Sequence, residues 1–198
     1  MTKLFAGIVA FFTLLIAAPA YAQDAPDALV KKSVDEVLAV IKQTRDQNKL
    51  VEAAETKVLP YFDFKQMTRL AAGRSWSQAS AAQQDALERG FRTLLVRTYT
   101  ASLSRTSGEA KVDVKPAVTA SADDVVVKTI ATEPGSQPIQ IDYRMAKTPN
   151  GWKVYDVIVE NLSLVTNYRS SFQSEIARSG VDGLIKVIEE KNRKGAGG

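Results

Sequence analysis

Histidine and cysteine are absent from the 198-residue sequence. No imidazole is available as base or metal ligand, and no thiolate as nucleophile, disulfide partner or metal ligand. A Ser-His-Asp triad is excluded. The acid–base candidates left are carboxylates: Asp63, Asp142, Asp156 and Glu160. A glycosidase-type pair works at a separation of about 5 to 9.5 Å. Asp156 and Glu160 are four apart in a stretch that reads as a strand, so they share a face but stand roughly 13 Å apart. Asp156 fits better as the partner of Arg144 or Arg169, or as an acceptor of backbone N–H groups. Asp123 and Asp124 read as turn chemistry rather than a calcium site. There is no Gly-x-x-x-x-Gly-Lys-Ser/Thr loop and no Gly-x-Gly-x-x-Gly run before a helix. The side-chain inventory therefore predicts neither an enzyme nor a metal or cofactor site.

The elements that position these residues centre on the stretch from Trp152 to Phe172. Its first half, to Glu160, is rich in β-branched and aromatic residues and reads as a strand. Trp152, Val154 and Ile158 fall on one side of the pleat, and Tyr155, Val157 and Val159 on the other, which predicts a central strand covered on both faces. After Asn161 the period changes. Val165, Tyr168, Phe172 and Ile176 recur at helical spacing behind Ser163, a residue suited to cap the helix.

Taken in order, the chain opens with a positive residue, Lys3, about 15 apolar residues from Leu4 to Ala18, and Ala20-Tyr-Ala22. That is the pattern of a cleaved secretory signal, and it falls short of the roughly 20 residues of a spanning helix. Helical patterns follow over 27–105. One ends at Pro60, a short one runs over Phe64 to Ala72 and stops at Gly73, Trp76 follows in a loop, and a long one opens at the Ser80–Gln83 capping box. Arg89, Arg92, Arg97 and Arg105 lie on this long helix, either as a solvated face or as a docking surface. Period two then predicts four strands over 111–160: Lys111 to Pro116, Asp124 to Thr132, Pro138 to Lys147, and the Trp152 strand. Helices over 163–191, broken at Gly180, and a flexible tail over 193–198 complete the chain. The expected fold is α+β, a four-stranded twisted antiparallel sheet wrapped by helices. The net charge of +4 is interspersed rather than blocked. In an exported chain it points to acidic partners or membrane surfaces and not to nucleic acid.

Residues spread along the mature chain also resemble one family. Trp152 to Val157, Glu160, Ser163 to Val165, Asn167 to Arg169, Phe172 and Gly180 to Ile185 look like the MlaC, or toluene-tolerance, family of periplasmic phospholipid-binding proteins. Tyr61 to Phe64, Met67, Gly73, Trp76, Gln83, Phe91 and Tyr99 agree with it. The resemblance implies one lipid-binding domain over 23–192, with a deep apolar pocket between sheet and helices. It implies a soluble, monomeric periplasmic carrier that maintains outer-membrane lipid asymmetry. Such a carrier passes glycerophospholipid between an outer-membrane lipoprotein–porin complex and an inner-membrane ABC transporter with MCE-domain subunits. The lining expected on this basis is Phe91, Leu95, Tyr99, Val127, Ile141, Tyr143, Val157, Leu164, Tyr168 and Phe172. Arg97, Arg144 and Arg169 are expected at the mouth, near the headgroup. Read from the residues alone, each of the same apolar positions fits a solid core better; periodicity does not distinguish a solid core from one holding a guest, and only the resemblance points to a cavity. A hopanoid or sterol-like cargo, or a lipid-free envelope scaffold, stays open as an alternative.

Overall fold

The computed structural model describes residues 24–194. The expected signal, 1–22, and the last four residues of the expected tail lie outside that range. Five helices come first: α1 (Pro26–Gln43), α2 (Gln47–Lys57), α3 (Phe64–Ala72), α4 (Ser75–Gln78) and α5 (Ala81–Leu103). The strands are β1 (Lys111–Val114), β2 (Val118–Ser121), β3 (Asp124–Thr132), β4 (Ile139–Thr148), β5 (Gly151–Val159) and β6 (Leu162–Ser163). The closing helix α6 (Leu164–Lys194) takes in Arg193 and Lys194 of the expected tail.

Helix starts are written in local chemistry. Pro26 stands in the first turn of α1. Asp46 and Asp63 accept the backbone N–H groups of Lys49 and Gln66 at 3.0 and 2.8 Å. Ser80 and Gln83 form the predicted capping box on α5. Gly73, at φ 58° and ψ −133°, ends α3 in a conformation that side chains with a Cβ avoid. Trp76, expected in a loop, instead belongs to the short helix α4 and is buried.

The sheet has six strands where four are predicted, in the order β1-β3-β4-β5-β6, with β2 also on β3. Long β3 has room for two partners along one edge: β1 takes its second half and β2 its first. The residues of β2 are all exposed, so the strand carries no alternating apolar signal. Strand β6 is only two residues long and follows a tight turn in which Glu160 and Asn161 both have positive φ. The pairing register of β4 and β5 shifts between Arg144 and Met145, so that Met145 faces Val154 and Arg144 faces Asp156. That bulge overturns the predicted face assignment, because Val154 and Val157 now both lie in the apolar cluster beneath the sheet. Nor is β5 central. Its outer neighbour is short β6, and the rest of its edge is covered by the turn at Leu59–Tyr61. There Asp63 N donates to Val154 O at 2.8 Å and Lys153 Nζ to Pro60 O at 2.6 Å.

Two apolar clusters result. One lies under the sheet and joins Val125, Val127, Met145, Val154 and Val157 to Leu29 and Val30 of α1. The other lies among α3, α5 and α6 and includes Met67, Leu87, Phe91, Leu95, Phe172, Leu184 and Ile188. Each large side chain buried in this way contributes about 1.5–3 kcal/mol. Phe62 packs against both clusters. Among the described residues, the expected deep pocket between sheet and helices is not an open cavity.

Candidate functional site

The inward face of the sheet is read from its register. Val125, Val127 and Thr129 on β3 stand opposite Met145, Tyr143 and Ile141 on β4. Met145, Tyr143 and Ile141 in turn face Val154, Val157 and Val159 on β5. At one end of these strands every side chain is buried, under Leu29 and Val30. Towards the other end Tyr143, Ile141 and Val159 are only half-buried, although they point the same way.

This gradient sorts the ten expected lining residues into two groups. Phe91, Leu95, Val127, Val157 and Phe172 are buried. Tyr99, Ile141, Tyr143, Leu164 and Tyr168 are half-buried and pack against the edges of the two clusters. Tyr168 meets Phe91 edge-on with ring centroids 4.9 Å apart, and Phe172 closes the aromatic group at 5.1 Å from Phe91. Burial pushes the Tyr143 hydroxyl up to about 12. The Tyr99 hydroxyl rises to about 12 as well, through burial first and then the neighbouring Tyr168. Burial also raises the Tyr168 hydroxyl. Three tyrosines therefore hold their hydroxyls in poorly solvated surroundings while part of each side chain remains accessible.

The three cations expected at the mouth are not brought together. Arg97 donates to the Asn192 carbonyl at 2.6 Å and ties α5 to the end of α6. Arg144 is on the outer face of the sheet, where its guanidinium lies 5.0 Å from the centre of the Tyr155 ring. The Arg169 guanidinium lies against Gly73 at the C-terminal end of α3, beside Gln173, which donates to the Ala72 carbonyl at 2.7 Å. A guanidinium there complements the negative helix end. Of the remaining α5 arginines, Arg92 pairs with Glu55 and lies over Phe64, whereas Arg89 and Arg105 are exposed.

The four candidate carboxylates are committed to structure. Asp63 caps α3. Asp142 accepts from the Gln140 side chain at 3.1 Å, and Glu160 from the Gln140 backbone at 2.6 Å. Buried Asp156 accepts from Ser163 Oγ at 2.7 Å and from Val165 N at 3.2 Å, so it fixes the turn from strand to helix. Of the two roles read for it from the sequence, ion-pair partner or backbone acceptor, this is the second. Asp124 accepts from the Tyr155 hydroxyl at 2.6 Å. Among the described residues no group of three or more acidic side chains is placed to hold a metal ion. No helix there is long and apolar enough to cross a membrane. Sequence reasoning missed Leu162, which is 73% exposed at the rim of the inward face. The period change at Asn161 hid it, since it belongs neither to the strand pattern nor to the helix stripe.

These features describe an aromatic and aliphatic interior whose residues are only half-buried along one side. Residues 31–190 match the MlaC protein family, and the chain belongs to it. It is 22% identical over 186 residues to the intermembrane phospholipid transport system binding protein MlaC of Haemophilus influenzae, covering 89% of this chain and 86% of that one. It is also similar to the solved structure of a phospholipid-binding protein from Ralstonia solanacearum in complex with a phospholipid. That match has a TM-score of 0.80 and 39% identity, and covers 87% of this chain and 99% of the other. Family membership, rather than any gap in the side-chain inventory, sets catalysis aside.

Proposed function

We propose that the chain carries a phospholipid, with both acyl tails between the inward face of the sheet and α5 and α6. The observation that carries this reading is the incomplete burial of Ile141, Tyr143 and Leu164 at the edge of the sheet cluster and of Tyr99 and Tyr168 at the edge of the helical one. Similarity to a phospholipid complex at 39% identity supports it. A two-chain lipid has roughly 30 methylenes at about 0.8 kcal/mol each in water. Crossing an aqueous gap bare would cost on the order of 20 kcal/mol, so a carrier must enclose most of both tails. The half-buried side chains separate to admit them. The tyrosine hydroxyls donate to ester oxygens, and the phosphate stays in solvent, where its charge keeps its hydration.

The carrier works in the periplasm after removal of residues 1–22, and the lipid-binding domain spans 23–192. It passes its cargo between an outer-membrane lipoprotein–porin complex and an inner-membrane MCE-domain ABC transporter. Transfer follows the relative affinities of the two partners for lipid, since this chain supplies no energy source. Organic extraction of the purified protein followed by mass spectrometry tests the reading. Recovered glycerophospholipid near one per chain supports it. A stable protein that yields none, even after incubation with phospholipid vesicles, refutes it in favour of a lipid-free scaffold, and a recovered hopanoid corrects the cargo.

A further inference from the structure

Four large apolar side chains are exposed among the described residues: Val118, Ile130, Ile139 and Leu162. Strand register assigns Val118, opposite Val126, and Ile130, opposite Gln140, to the outer face. Ile139 and Leu162 belong to the inward face. Ile139 lies two residues before Ile141 on β4 and opposite Ala131. Leu162 pairs with Val159, which pairs on its other side with Ile141. Exposure climbs along this file. Val127 and Val157 are buried, Ile141 and Val159 are half-buried, and Ile139 and Leu162 are 44% and 73% exposed. Leu164, two residues after Leu162, packs against the same cluster. An unbroken apolar track therefore runs from the interior to solvent at the corner of β4, β5 and β6.

Two further observations single this corner out. The opposite end of the inward face is closed by Leu29 and Val30, and the β5 edge by the turn bonded to Val154 and Lys153. The fold also makes no demand for leucine at 162. The turn is set by Glu160 and Asn161, Ser163 and Asp156 secure the helix start, and the Leu162 side chain is mostly in water. Exposed edges of sheets ordinarily carry polar or charged residues instead.

We infer that this corner is the port for the cargo: the acyl chains of the phospholipid enter and leave over Leu162 and Ile139. The inference rests on the carrier reading. A tail leaving along this track exchanges one apolar contact for the next, whereas each methylene that enters water on the way raises the barrier by about 0.8 kcal/mol. The rim residues touch the chains in transit and not in the stored state. They change the rates of loading and release by one common factor and leave the amount bound at equilibrium alone.

The test uses the full mature chain loaded with phosphatidylglycerol bearing one fluorescent acyl chain. Release into unlabelled phosphatidylethanolamine–phosphatidylglycerol vesicles is followed, then loading from labelled ones. Leu162→Asp and Ile139→Asp are expected to slow both steps by at least about fivefold with equilibrium loading unchanged. Ile130→Asp, equally polar but on the outer face, is expected to exchange at the unsubstituted rate. Leu162→Ser provides the same comparison without added charge, should the aspartate variant melt early. Unsubstituted rates in both rim variants would overturn the port. So would an equal slowing by Ile130→Asp, or a loss of equilibrium loading that marks Leu162 as lining. Failure of the unsubstituted protein to hold labelled lipid would instead overturn the carrier reading, before any variant is compared.

Discussion

Asp156 is where a structural and a chemical role make opposite predictions. Its carboxylate is 3% exposed and accepts two hydrogen bonds, from Ser163 Oγ and from the buried Val165 N–H. Ser163 Oγ in turn accepts from Thr166 N at 3.0 Å, so one carboxylate secures both N–H groups at the start of α6. Replacing Asp156 by alanine leaves the Val165 N–H without a partner, at about 1–3 kcal/mol, and loosens a cap worth about 0.5–2 kcal/mol. The sum is about 1.5–5 kcal/mol. In a domain of this size 1 kcal/mol moves the melting temperature by about 2–4 °C, so Asp156→Ala should melt roughly 3–20 °C lower by circular dichroism. Asp156→Asn keeps one acceptor oxygen and should lose about half as much. Amide hydrogen exchange should show Val165 and Thr166 unprotected in the alanine variant. An alanine variant that melts within about 2 °C of the parent would refute the cap. If lipid transfer then fell while the fold was untouched, a chemical role for Asp156 would have to be reconsidered.

The remaining predictions separate lining from core and test two local features. Tyr168→Ala removes two aromatic contacts worth about 0.5–1.5 kcal/mol each, a small part of a stability of about 5–15 kcal/mol. It should stay folded yet yield much less phospholipid on extraction, and unchanged lipid content would exclude Tyr168 from the lining. Fully buried Phe91, changed to Ala, should instead lose about 3–5 kcal/mol, read as a fall in the denaturation midpoint. Gly180 breaks α6 at φ 71° and ψ −176°, a region open essentially to glycine, with no neighbour where a Cβ would stand. Gly180→Ala should therefore cost about 1–3 kcal/mol of backbone strain in a chemical melt. Tyr143 binds its proton more tightly folded than unfolded, because burial raises its hydroxyl from 10.0 to about 12. Its contribution is complete below pH 10 and fades as pH rises towards 12, by at most about 1.4 kcal/mol per pH unit. Tyr143→Phe should flatten that alkaline decline, as measured by denaturant titration between pH 9 and 12 (roughly the span between the two forms' ordinary and raised values).

What could be read in the sequence follows from which forces are local. Helix capping and alternation along a single strand are both local, so the Ser80–Gln83 and Phe64 to Ala72 helix signals and the Asp124 to Thr132 strand are legible in the sequence as the structure has them. Partners across a sheet are not local. The exposed residues of β2 and the two-residue β6 have no pattern of their own and exist because β3 and β5 offer them edges. The bulge opposite Arg144 and Met145 likewise depends on two strands together, and it defeats an alternation read along one of them. Arginines picked by type as headgroup ligands went elsewhere for the same reason: carbonyls at helix ends and aromatic faces compete for a guanidinium, and neither is visible along the chain.

The distinction between core and cargo space is subtler, because it turns on degree of burial and not on direction. Phe91, Leu95 and Tyr99 follow one another at four-residue spacing on α5, so they lie on neighbouring parts of one side of the helix. Phe91 is nevertheless sealed by Tyr168 and Phe172, whereas Tyr99 stays half-open. On the sheet the same change occurs between Val127 and the residue facing it, Tyr143. That Tyr99 and Tyr143 both stay half-open, and that exposed Ile139 and Leu162 continue the inward face of the sheet to solvent, is the arrangement that the proposed carriage of a lipid requires.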